Sequence, residues 1–126
     1  KRVTIFLSVF NVHVNRIPIA GTIEEIRYNP GKFLAAFNPK ASMDNEQNII
    51  LINNGKTHVF VKQIAGLIAR RIVCWPKKGD YYESGQRYGL IRFGSRVDIL
   101  LPETTKLSVA CGDRVSGGKS IIGYLT

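Results

Sequence analysis

No stretch of these 126 residues approaches the ~20 consecutive apolar residues that a membrane-spanning helix needs. No secretory signal is visible at the start. Lys1-Arg2 runs straight into the strand-like VTIFLSVF, as expected of a piece trimmed from something longer. Cysteine is scarce: Cys74 and Cys111 lie far apart in apolar surroundings and read as two buried free thiols in a reducing compartment. With His13 and His58 they make four potential metal ligands, but no CxxC or HxxxH spacing is present, which excludes a zinc site. Carboxylates are few, and none forms an acid/base pair. A glycine-rich phosphate loop and a GxSxG elbow are both missing.

The shortage of acid leaves nine Asp and Glu against eighteen Lys and Arg, a net charge of +9. Such an excess suits an anionic partner, either nucleic acid or an acidic lipid surface, or simply a well-solvated basic exterior. The basic residues are scattered from Arg2 to Lys119 and form no aromatic–basic stripe, so no nucleic-acid partner is expected. Hydrophobic residues make up 44% and are spread throughout, which fits one domain over residues 1–126 with a real core.

The segments are short, β-branched and punctuated by turns. Residues 3–14, VTIFLSVFNVHV, read as one or two strands with a break near Asn11, ended by Asn15-Arg16-Ile17-Pro18. Gly21 to Tyr28 alternates as a further strand before the turn Asn29-Pro30-Gly31. KFLAAF, residues 32–37, is the best short amphipathic helix, and 38–48 is a polar loop. Residues 49–53 and 58–63 form a hairpin around Asn53-Asn54-Gly55. IAGLIARRIVCW, residues 64–75, reads as a strand with a bulge at Gly66; within it at least one of Arg70 and Arg71 must reach water or an anion.

The last third contains an internal echo. Gly79-Asp80 is followed by Gly85 and Gly89, and Gly112-Asp113 by Gly118 and Gly123. The pattern resembles the turns of lipoyl- and biotinyl-type folds. It predicts a mainly β, barrel-sandwich-like antiparallel domain with one or two short helices.

Two places invite chemistry. His13 ends an apolar strand beside Asn15 and Arg16; it is either structural or a proton carrier with an ordinary pKa near neutrality. His58 alternates with apolar residues after a turn and reads as an exposed strand position. The second place is YGLIRFGSRVDILLP, residues 88–102, where two strand segments meet at Gly94-Ser95. Alone, this pair is an ordinary tight corner.

FLSVFNVHVNRIPIAG, YNPGKFLAAFNPKASMDNEQN, VKQIAGLIARRIVCW and GLIRFGSRVDILLP, in that order, together resemble the short prokaryotic phosphatidylserine decarboxylases. The FGS junction corresponds to that family's cleavage motif, with Phe93 and Arg96 as variant flanks. The resemblance implies self-processing. Ser95 attacks the Gly94 carbonyl, and the chain splits into a larger piece, 1–94, and a smaller one, 95–126. A pyruvoyl cofactor derived from Ser95 is left on the smaller piece.

The implied substrate is an aminophospholipid, phosphatidylserine or archaetidylserine. The pyruvoyl carbonyl would condense with the serine amine and accept the electrons released with carbon dioxide. By the same resemblance His13 is the proton donor. Arg16 stands where longer forms have a second histidine and is expected to contact phosphate or carboxylate. Phe33 and Phe37 form a lipid-facing flap or fill core; Tyr88 and Phe93 wall the pocket or fill core. Asn45, Glu46 and Asn48 lie in a family loop motif, Asn45 as a substrate contact. The implied partners are a membrane surface, on the cytoplasmic side of the cell membrane and peripherally held, the protein's own cleaved subunits, and further copies in a homo-oligomer. The family's activating aspartate and hydrophobic N-terminal region are not in this sequence. The rival reading is a non-catalytic lipoyl- or biotinyl-like carrier, which would need a lysine at a hairpin tip, for which Lys106 is the candidate.

Overall fold

The computed structural model describes residues 1–7, 12–31, 38, 40–66, 72–92 and 95–125, with residues 12, 13, 41, 42 and 92 described by backbone alone. Two antiparallel sheets dominate. The larger has the order β1 (Arg2–Phe6), β9 (Arg96–Leu100), β5 (His58–Ile64), β4 (Gln47–Asn53), β3 (Gly21–Asn29), β7 (Tyr81–Tyr82). The smaller is β2 (Val12–Arg16), β8 (Arg87–Arg92), β6 (Ile72–Cys74). A separate hairpin pairs β10 (Lys106–Leu107) with β11 (Gly123–Tyr124). The only helix among the described residues is a single turn, α1 (Ala41–Asp44). The domain is mainly β, as expected.

Alternation explains the large sheet. In β5 the inward side chains Val59, Val61 and Gln63 are buried, while His58 and Phe60 face out. Their inward neighbours are Ile50 and Ile52 on β4 and Val97 and Ile99 on β9; these join Ile17, Ile23 and Tyr88 in one core. The β4–β5 hairpin forms where Asn53-Asn54-Gly55 demands it. Gly55 takes φ +93°, Asn53 Oδ1 accepts its amide at 2.8 Å, and Asn54 Oδ1 accepts those of Lys56 and Thr57.

The structure departs from expectation in three places. Within the polar loop 38–48, α1 occupies 41–44 and β4 already begins at Gln47. The run 64–75 is not one unbroken strand: Ile64 closes the hairpin, Ala65 and Gly66 belong to no strand, and among the described residues only 72–74 pair again, against β8. Cys111 is exposed rather than buried, because the second echo turn lies at the surface, whereas Cys74 is half-buried. Desolvation pushes the Cys74 thiol up to about 11, opposed by a hydrogen bond with Asn48. The expected helix at 32–37, and Arg70 and Arg71, lie outside the described residues.

One glutamine ties the two sheets together. Gln63, fully buried on β5, donates through Nε2 to Asn15 Oδ1 on β2 at 2.7 Å and to the Val73 carbonyl on β6 at 3.1 Å. Its Oε1 accepts from Asn48 Nδ2 on β4 at 3.4 Å. The fit depends on Gly89, where an added Cβ would lie 2.1 Å from the Val73 oxygen and 2.8 Å from the Gln63 amide nitrogen. Truncating Gln63 takes a partner from the buried Asn15 Oδ1 and Asn48 Nδ2 and from the half-buried Val73 carbonyl, and a buried polar group left unpaired costs about 1–3 kcal/mol. Gln63→Ala is therefore expected to lose about 2–4 kcal/mol of unfolding free energy in urea titrations. A loss no larger than that of an exposed substitution such as Lys56→Ala would contradict the cross-link.

Candidate functional site at the head of strand β9

Ser95 opens β9 and is held from both sides. Its carbonyl accepts the Leu7 amide at 2.9 Å. On the other flank the register that pairs Arg96 with Ile64 sets Ser95 opposite Ala65, whose amide donates to the Glu46 carbonyl at 2.9 Å. Leu7, Ser95, Ala65 and Glu46 thus lie in one row just beyond the ends of β1, β9, β5 and β4. Ser95 is 1% exposed, and its Oγ has no hydrogen-bond partner among the described residues. A buried hydroxyl left unpaired is costly unless the surroundings enforce it.

The enforcement comes from the next two outward positions. Arg96 and Asp98, 4% and 0% exposed, pair bidentately: Nε to Oδ1 at 2.8 Å and Nη2 to Oδ2 at 3.1 Å. Thr4 of β1 donates to the same Oδ1 at 2.9 Å, and the guanidinium lies over the Phe6 ring, 5.7 Å from its centre. This cluster locks β1 to β9 immediately after the serine.

Of the residues expected to make the site, the structure brings some close and separates others. Asn45 is buried near the same sheet end, its Nδ2 donating to the Ala65 carbonyl at 2.6 Å. His13 sits on β2 opposite Ile91 of β8, and only residues 92–94 separate Ile91 from Ser95; its side chain is not among those described. Arg16 lies at the other end of β2, beside Arg87. Its Nη1 donates to the Gly85 carbonyl at 2.8 Å, and its guanidinium rests against Gly118. Tyr88 is packed in the core at 1% exposure; burial, with the nearby Cys74, pushes its hydroxyl pKa far up. Gly94, Phe33, Phe37 and Phe93 lie outside the described residues.

Sequence reading passed over Glu46 as a site residue in its own right. Its Oε2 accepts from the Tyr28 hydroxyl, a bond that raises the Tyr28 pKa, while its Oε1 is buried with no partner among the described residues. Its inward place in a strand register is the signal that would have found it. Lys106 is not at a hairpin tip but inside β10, paired with Tyr124, which removes the feature a carrier would need.

A cavity of about 370 Å³ is elsewhere. It lies on the outer face of the large sheet, floored by Ile49, Leu51, Phe60 and Leu100 and flanked by Glu25, Arg27 and Lys62. Ser95 turns to the opposite face, so this cavity is not where the serine would react. Among the described residues no cluster of His, Cys, Asp or Glu could hold a metal ion, and no helix is long and apolar enough to cross a membrane.

The chain matches the phosphatidylserine decarboxylase family over residues 1–123. It belongs to that family. It is 50% identical over 125 residues to the phosphatidylserine decarboxylase proenzyme of Geotalea uraniireducens, covering 98% of this chain and 59% of the relative. It is 53% identical to the proenzyme of so named function from Desulfotalea psychrophila (98% and 58%) and 54% identical to that of Solibacter usitatus (97% and 60%). The chain therefore spans less than two thirds of these curated relatives. A comparison with solved structures gives no match. Within the decarboxylase family frame, the buried serine heading β9 is the natural candidate for the processing residue.

The ion pair beside it gives a stability test. Arg96→Met leaves the Asp98 carboxylate buried without its guanidinium and is expected to cost about 3–5 kcal/mol. The double variant Arg96→Met/Asp98→Leu should cost clearly less in the same denaturation experiment. Equal losses would show that the pair does not hold this strand.

Proposed function

We propose that this chain carries the self-processing and catalytic centre of a pyruvoyl-dependent carboxy-lyase that converts phosphatidylserine to phosphatidylethanolamine. The observation that carries the reading is the buried Ser95 hydroxyl at the head of β9, which has no hydrogen-bond partner among the described residues, in a chain about half identical to phosphatidylserine decarboxylase proenzymes. Ser95 is covalently next to the carbonyl it would attack, and its hydroxyl is committed to no other partner among the described residues.

In the proposed maturation Ser95 Oγ bonds to the Gly94 carbonyl carbon as the peptide C–N bond breaks, giving an ester and a free amine. Elimination then expels the Gly94 carboxylate, and hydrolysis releases ammonia, leaving a pyruvoyl end on residues 95–126. Its carbonyl supplies an electron sink for decarboxylation. The two pieces would stay together, because β9 is paired on one edge with β1 and on the other with β5, both in the 1–94 piece. His13 holds the proton to be delivered to the substrate carbon after carbon dioxide leaves. Arg16, already engaged by Gly85, acts as a brace at the far end of β2 rather than as a substrate clamp.

Peripheral attachment to the cytoplasmic face of the cell membrane and homo-oligomer formation belong to the same proposal. Support for the former is the net charge of +9 and the apolar outer-face cavity flanked by Arg27 and Lys62.

The test is carbonyl chemistry coupled to turnover. The protein with its natural flanking sequence should release carbon dioxide from phosphatidylserine vesicles and lose that activity on treatment with phenylhydrazine. His13→Ala is expected to keep a phenylhydrazine-reactive carbonyl yet decarboxylate at least ~100-fold more slowly. Turnover indifferent to the reagent would overturn the cofactor assignment, and equal loss of carbonyl and turnover in His13→Ala would overturn the role of His13.

A further inference from the structure

The echoed turns are a structural duplication. Gly79 and Gly85 recur 33 positions on as Gly112 and Gly118, and all four have positive φ (95°, 81°, 90° and 75°). Lys77 N donates to Asp80 Oδ2 at 2.9 Å, and Ala110 N to Asp113 Oδ2 at 2.9 Å. Asp80 N returns to the Lys77 carbonyl at 3.0 Å, and Asp113 N to that of Ala110 at 3.1 Å. The strands correspond too. Trp75 N reaches the Tyr88 carbonyl and Ser108 N the Ile122 carbonyl, both at 2.8 Å. Gly89 opposes Cys74 as Gly123 opposes Leu107. Even the close approach is shared: a Cβ on Gly89 would lie 2.1 Å from the Val73 oxygen, and one on Gly123 2.5 Å from the Lys106 oxygen.

The two copies differ in what surrounds them. In the first, Gly89 pairs on its other edge with Asn15 of β2, and Tyr81 and Tyr82 pair with the start of β3. One continuous stretch, β2 followed by β3, thus covers both open edges of that copy. In the second, β11 has β10 as its sole strand partner among the described residues, and residues 114–115, counterparts of Tyr81 and Tyr82, pair with no strand. Antiparallel pairing alternates. With Ile122 bonded to Ser108, Gly123 must turn its amide and carbonyl away from β10, as Gly89 turns toward β2. Ile121, Tyr124 and Leu107, at 58%, 58% and 41% exposure, surround this edge.

We propose that the open edge of β11 is a docking site for an extended segment of the same protein lying outside these 126 residues. It would run antiparallel along β11 and then along residues 114–115, as β2 and β3 do in the first copy. A source of suitable length exists in the family: the matched region is 59% of the Geotalea uraniireducens relative, leaving about two fifths of that protein unmatched. The first copy also shows that the covering strands are supplied by the same chain from a remote stretch of sequence. The contact would cover the open edge of the second copy and hold the smaller cleavage piece, which contains β11, by a second pairing besides that of β9.

The test uses isotopically labelled protein carrying its natural flanking sequence, observed by amide exchange and cross-strand NOEs. It needs no catalysis, so its failure is distinguishable from failure of the decarboxylase reading. The Gly123 amide should exchange within about tenfold of the Gly89 amide and at least ~100-fold more slowly than an open-turn amide such as Gly55. It should also show NOEs to residues outside 1–126 that persist on dilution. A Gly123 amide exchanging like Gly55 overturns the proposal. So does protection that fades on dilution with NOEs between differently labelled copies, because a second copy would then fill the edge.

Discussion

Between β8 and β9 the chain changes sheets with only residues 93 and 94 between Arg92 and Ser95. Three Cα–Cα steps reach at most ~11 Å, so the end of the three-stranded sheet and the head of β9 must be held that close. Much of the rest serves this condition. Gln63 bonds across to Asn15 and Val73 and so fixes one sheet on the other. The Arg96–Asp98–Thr4 cluster keeps β9 from slipping against β1. The core formed by Val97, Ile99 and their neighbours fills the inward side of the same strand. A serine placed just after such a crossing is positioned from both directions, by its own strand and by the short tether before it.

That placement separates two tasks that a single solvent-facing pocket would mix. The outer face of the large sheet carries the apolar cavity and its flanking cations, whereas the opposite face holds the buried Ser95 and, with Glu46, two buried oxygens that have no partners among the described residues. The cavity and the buried serine thus lie on opposite faces of one sheet.

How much of this was legible in the sequence depended on the range of the interactions. Asn53-Asn54-Gly55 and the Gly-Asp turns declared themselves because each turn is made by its own residues. The strand alternation of HVFVKQI was equally visible, yet the inward glutamine it implies was not recognised as a cross-link, since its partners Asn15 and Val73 are remote in sequence. Arg16 was read by its chemistry as a contact for phosphate or carboxylate; its contacts with Gly85 and Gly118 are ones that only the register of β2 against β8 reveals. Tyr88 shows the same limit: its aromatic ring beside a reactive junction suits a pocket wall or a core equally well, and three-dimensional packing decides for the core. Ser95 itself was found through the ordered blocks of family resemblance; its burial and its unpaired hydroxyl belong to the tertiary structure alone.

The bond between Gly94 and Ser95 is the centre of the proposed maturation, and intact-mass measurement addresses it directly. The protein produced with its natural flanking sequence is expected to yield two species, the smaller corresponding to residues from 95 onward with a blocked, pyruvoyl-type amino terminus, while Ser95→Ala yields one unbroken chain. A wild-type protein that remains a single, unmodified chain after prolonged incubation would contradict it.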